Sequence, residues 1–104
     1  MQNQKHYTVY ITTNFRQNVL YVGSSSDLTG RIDKHRKKFY PKSFSARYNV
    51  DRLVYYCEFP TAQEMVDFEQ KLKAGSRRKK EALVDEMNPQ WLDLAARWFD
   101  ECGE

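Results

Sequence analysis

Cysteine is scarce in this sequence, with two in 104 residues. Cys57 and Cys102 stand too far apart for the paired spacing of a zinc site and are too few for a disulfide scaffold, so both are expected to be reduced bystanders. Glycine and proline are also few, four and three, which excludes collagen-like and low-complexity linker architectures. No apolar run approaches the roughly 18 residues of a membrane span. The stretch from Met1 to His6 is polar and lacks a signal-peptide hydrophobic segment, so a cytoplasmic location is the expectation.

Apolar residues make up 40% of the chain and aromatics 14%, enough to build one core. The length fits a single domain over 1–104, its core running from about 5 to 99. The net charge of +3 says little by itself, because the charges are segregated. Between Arg31 and Arg52 the only acids are Asp33 and Asp51, set against Lys34, Lys37, Lys38 and other basic residues. Lys71 to Lys80 contains none, and carries Arg77, Arg78 and Lys79; from Glu81 onward acids dominate. Two basic blocks suit a phosphate backbone, and solvated helix surface suits them equally well.

Two segments, Tyr7 to Thr12 and Val19 to Val22, are rich in β-branched and aromatic residues and flank a polar turn, which predicts a β-hairpin. Ser24-Ser25-Ser26 offers capping hydroxyls for a helix from Asp27 to Phe39, with Leu28, Ile32, His35 and Phe39 on one stripe. Tyr40 to Asn49 reads as a loop with a short helical turn near Phe44 to Tyr48. Arg52 to Phe59 is a third strand closed by Pro60. Thr61-Ala62-Gln63-Glu64 is a capping box opening a helix to about Lys73, which Gly75 ends. Arg77 to Met87 and Pro89 to Phe99 have helical composition. The expected class is α+β: a small three-stranded antiparallel sheet flanked by three to four helices.

Some residues break the pattern that places them. Ala62, Met65, Val66, Phe68 and Leu72 define the apolar face of the second helix, and Glu69 points into its middle. A buried carboxylate needs a partner, either a lysine or arginine or a hard divalent cation. In the first helix, His35 sits on the inward stripe and Arg31 borders it, one turn nearer the end that favours anions. Tyr10 and Tyr21, with ten residues between them across the turn, are placed to meet on paired strands. Gly23 signals a close backbone approach.

Together, Thr8-Val9-Tyr10 and, ten residues on, Tyr21-Val22-Gly23 resemble the paired motif of the GIY-YIG nuclease family. Asp27 to His35 resembles the family's helix with its arginine and following histidine. Tyr48-Asn49 resembles a Tyr-Asn element of the small stand-alone bacterial members, Glu69 falls at the family's metal-binding glutamate, and Met87-Asn88-Pro89-Gln90-Trp91 resembles its closing segment. Thr8 departs from the motif's glycine.

The resemblance implies a metal-dependent endonuclease acting on nucleic acid, DNA before RNA, with one divalent cation, Mg²⁺ or Mn²⁺, held by Glu69. Arg31 would stabilise phosphate charge. Tyr10 would act as general base or position the water, assisted by Tyr21 and His35, with nearby cations lowering its pKa. Lys34, Lys37, Lys38, Tyr48, Arg77, Arg78 and Lys79 would contact the nucleic acid, and Gly23 and Asn88 would support the site. No appended targeting module is legible, so target choice is open, and a protein partner is one way to supply it. Two other readings remain: a silent nucleic-acid-binding module of the same fold, and a protein-interaction adaptor presenting Trp91, Trp98 and the acidic segment.

Overall fold

β-Branched and aromatic residues on either side of a polar turn favour the hairpin, and the expected strands form. The computed structural model describes residues 6–36, 52–96 and 98, the side chains of 34–36 excepted. Strands β1 (Tyr7–Thr13), β2 (Leu20–Ser25) and β3 (Arg52–Phe59) make one antiparallel sheet in the order β2-β1-β3. Central β1 is buried from Thr8 to Thr13. Three helices are present among the described residues: α1 (Leu28–Arg36), α2 (Ala62–Ala74) and α3 (Arg77–Met87).

The period of two along β1 divides the core in two. Val9 and Ile11 pack with Val22, Val54, Tyr55, Met65, Leu72 and Val84, which joins one side of the sheet to α2 and α3. Tyr10 packs with Leu28, Ile32, Leu53 and Ala95 in a second cluster on α1. Ile11 pairs with Tyr55 and Thr12 with Leu53, so Val54 is an extra residue in a β-bulge. That insertion lets Val54 and Tyr55 both join the first cluster while Leu53 joins the second.

Local side-chain bonds set the boundaries. The Thr61 hydroxyl accepts from the Glu64 N–H at 3.2 Å, as the capping box requires. Ser76 caps α3 in the same way through the Lys79 N–H. At α1 the cap differs from the serine triplet expected: the Asp27 carboxylate accepts from the Gly30 N–H, and Ser25 Oγ accepts from the Asp27 N–H. Ala62 is exposed, so the apolar face of α2 is narrower than its wheel suggested.

A helix from Pro89 to Phe99 does not form over its described part. Trp91 adopts φ 53°, which breaks helical continuity. The Leu94 N–H instead donates to Leu53 O at 2.7 Å, and Asp93 accepts from the N–H groups of Leu53 and Ala95. This segment's polar groups are thus satisfied by β3, and Ala95 is carried into the Tyr10 cluster. Buried Asn88 makes the bend, donating to Val54 O and Leu92 O and accepting from the Leu92 N–H.

Candidate active site

Tyr10 and Gly23 are register partners on β1 and β2, and the candidate site is built around that pair. Tyr10 is 1% exposed. Its ring lies 6.4 Å from that of Tyr21, tilted by 45°. A Cβ placed on Gly23 would stand 2.6 Å from Tyr10 Oη and 2.9 Å from Tyr21 Cε2. Only a glycine leaves room for both phenol rings over the strand, which is the close approach its position in the sequence suggested.

Three further groups act on the Tyr10 hydroxyl. Burial raises its pKa most, and Tyr21 and Glu69 raise it further. The Arg31 guanidinium, through its charge and a hydrogen bond, pulls it down. Arg31 lowers it as expected, and the net direction is upward because desolvation of a phenolate outweighs the arginine. Tyr10, Tyr21, Arg31 and Glu69 therefore share one electrostatic neighbourhood. Arg31 is partly buried in the first turns of α1, whose Leu28 and Ile32 anchor the helix against the Tyr10 cluster.

Glu69 reaches this neighbourhood from α2. One carboxylate oxygen accepts from Ser24 Oγ at 2.7 Å, and the other pairs with the Lys73 ammonium at 3.0 Å. The Glu69 side chain is 16% exposed and that of Lys73 51%. Of the two partners open to it, the ion pair is present. An exposed i,i+4 pair of this kind contributes under ~1 kcal/mol and is readily exchanged. The carboxylate also fits a hard cation: it is acceptor-only, oriented by Ser24 and not fully buried. Among the described residues no three His, Cys, Asp or Glu groups gather into a metal-holding set. A single carboxylate suits Mg²⁺, which keeps several waters and takes further ligands from substrate phosphates.

Ser24 and Lys73 were not singled out in the sequence as site residues. Lys73 had a signal, since Glu followed by Lys four positions on is a helical pair. Ser24 had none, being 45 positions from Glu69.

Other expected residues are distributed around this centre. Thr8, at the motif's glycine position, lies in extended strand, and its hydroxyl donates to His6 O at 2.9 Å. No left-handed backbone is needed there, so a β-branched residue fits. Arg77 uses its donors on Glu81, Asn18 O and Gln17 O, clamping α3 to the hairpin turn. Arg78 and Lys79 are exposed on α3. Asn88 is structural, as its bonds show. Trp91 packs on the first core cluster and Trp98 sits edge-on to Tyr56 at 6.3 Å, so the two tryptophans do not form the shared patch an adaptor would present. The side chains of Lys34 and His35, and Lys37, Lys38 and Tyr48 altogether, lie outside the described residues.

Comparison with known proteins identifies the family and the fold. The family model described as the GIY-YIG catalytic domain matches residues 6–82. The solution NMR structure of the UPF0213 protein BH0048 from Bacillus halodurans is similar at a TM-score of 0.54 and 30% identity, covering 88% of this chain and 95% of that one. No curated protein matches significantly. With the matched region spanning both tyrosine strands, the arginine helix and the glutamate helix, the chain belongs to the GIY-YIG family, a nuclease-type family.

Proposed function

We propose that this protein hydrolyses phosphodiester bonds of nucleic acid, DNA in the first instance, at the cleft formed by Tyr10, Tyr21, Arg31 and Glu69. The observation that carries the reading is that Tyr10 and Tyr21 meet over Gly23, with Arg31 from α1 acting on the Tyr10 hydroxyl and Glu69 from α2 bonded to neighbouring Ser24. Lys73 offsets the cost of burying the Glu69 charge, so the reading rests on the four groups coming together and not on an unpaired charge.

Each group has a task in in-line attack by water. Arg31 offers a planar fork of donors to the nonbridging oxygens, and its charge persists at any working pH. Burial keeps Tyr10 protonated at neutral pH, so it orients the attacking water rather than removing its proton outright. Tyr21 and His35 are the relay for that proton. Glu69 holds Mg²⁺ or Mn²⁺, with Ser24 fixing the carboxylate. When bound, the ion would supply charge neutralisation at the phosphate and the leaving oxygen. Lys34, Lys37, Lys38, Arg78 and Lys79 contact backbone phosphates without reading sequence, and a protein partner supplies target choice.

The test is cleavage of single-stranded, duplex and branched DNA, with RNA alongside, under Mg²⁺ or Mn²⁺. Arg31→Ala and Glu69→Ala are expected to abolish product while circular dichroism and thermal unfolding show an intact fold. One observation favours a silent binding module: Lys73 already supplies the counter-ion that Glu69 needs. Salt-sensitive binding without product under either metal would establish that reading instead.

A further inference from the structure

Phe15 is 80% exposed, more than any other large hydrophobic side chain among the described residues. It sits in the β1–β2 turn, where burial worth ~2 kcal/mol goes largely unrealised. The turn is braced. Asn14 accepts from the N–H groups of Asn18 and Val19 and donates to Asn18 Oδ1, and the Thr13 hydroxyl donates to Val19 O. Arg77 donates to Gln17 O and Asn18 O from α3. The ring is thus displayed on a fixed support.

One face of the ring is occupied. The Arg52 guanidinium carbon stands 5.5 Å from its centroid, within cation–π range. Arg16, the next residue, is exposed beside it. A flat apolar ring with a cation behind it and a second at its side matches one chemistry: a nucleobase to stack on the open face, and phosphates for the guanidinium groups. An apolar peptide would gain nothing from the arginines, and an acidic peptide nothing from the ring. The platform follows the strand that carries Tyr10. Phe15 lies two residues beyond the end of β1 and Tyr10 three before it, a reach of at most roughly 16 Å at the rise of a strand.

We propose that the β1–β2 turn is a base-stacking platform, on which Phe15, backed by Arg52 and flanked by Arg16, holds an unstacked nucleobase of the strand entering the tyrosine cleft. The inference rests on the nucleic-acid reading above and adds where a base is gripped. Stacking is sequence-tolerant, since every base has a π-face, so the platform favours strands with unpaired bases over particular sequences.

Binding of the full chain in the presence of a chelator, without cleavage, tests it. Anisotropy at low salt compares a labelled single-stranded oligonucleotide with an abasic strand of equal length and charge. The wild type is expected to prefer the base-bearing strand by on the order of tenfold, and Phe15→Ala to lose that preference while binding the abasic strand as before. Phe15→Trp should retain it, and its added indole emission should be quenched by the base-bearing strand alone. Equal binding of both strands by the wild type, or an unchanged preference in Phe15→Ala, overturns the platform and leaves the nuclease reading standing. Failure of the wild type to bind either strand removes the nucleic-acid reading and the platform with it.

Discussion

The Ser24 hydroxyl donates to Glu69 Oε1 at 2.7 Å, tying β2 to α2 across 45 positions of sequence. Lys73 holds the other oxygen. The two contacts have opposite consequences for a cation at Glu69, because one orients the carboxylate and the other competes for it. Ser24→Ala is expected to raise the Mn²⁺ concentration for half-maximal cleavage several-fold, with Ser24→Thr close to wild type. Lys73→Gln should lower it, by up to about fivefold for an exposed pair. Paramagnetic titration of free Mn²⁺ gives the same quantity without turnover. Shifts in the same direction for both variants would contradict the opposed roles.

Gly23 is irreplaceable for a reason of space. The nearest atoms to an added Cβ belong to Tyr10, whose buried ring has no free volume into which to move. Gly23→Ala is expected to cost ~1–3 kcal/mol of stability by overpacking, and to reduce cleavage by displacing the two hydroxyls. In a domain of this size that corresponds to a melting temperature lower by about 4–8 °C per kcal/mol. A variant as stable and as active as the wild type would show that the rings do not depend on this gap.

What was legible in the sequence follows from how local its cause is. The hairpin, the third strand and α2 announce themselves through runs of β-branched and aromatic residues, a polar turn, Pro60 and a capping box, signals complete within a few residues. Inward Glu69 and Arg31 stood out because charge on an apolar stripe is costly wherever the helix packs. The segment after Asn88 misled because Leu92, Ala95 and Ala96 have helical spacing, whereas its backbone bonds are taken by distant Leu53. The β-bulge at Val54 was hidden likewise, being a property of the pairing with Thr12 rather than of β3 itself. The direction of the Tyr10 pKa depends on burial by α1 and the Ala95 segment, which no local pattern encodes.

Arg77 and Arg78 are adjacent and alike in sequence, and the structure separates them. Arg77 clamps the hairpin turn through two carbonyls and Glu81, whereas Arg78 is exposed on α3. Arg77→Ala is expected to lower stability by ~1 kcal/mol in urea unfolding, since charge-assisted bonds at an exposed site retain only part of their worth. Arg78→Ala should change stability by less than ~0.5 kcal/mol and instead lower nucleic-acid affinity and its salt dependence. Equal unfolding midpoints for Arg77→Ala and wild type would remove the clamp.

Tyr10 gives the fold an alkaline limit. Its pKa lies above the ordinary phenol value of 10.0, chiefly through burial, so above about pH 10 the unfolded chain releases this proton while the folded chain keeps it. The unfolded state then binds fewer protons, and stability falls as pH rises. Below pH 10 the contribution is present; by about pH 11 it has shrunk by on the order of 1 kcal/mol. Tyr55, pushed up to about 12 by burial and by neighbouring Cys57, adds a loss in the same direction. Tyr10→Phe keeps the ring in the core and removes the titrating proton. Urea unfolding at about pH 8 and about pH 11 should therefore show a smaller drop in the variant than in the wild type, with the Tyr55 share remaining. Identical drops would mean that the Tyr10 hydroxyl is hydrated in the folded state, and a hydrated hydroxyl would be free to ionise and serve as a base.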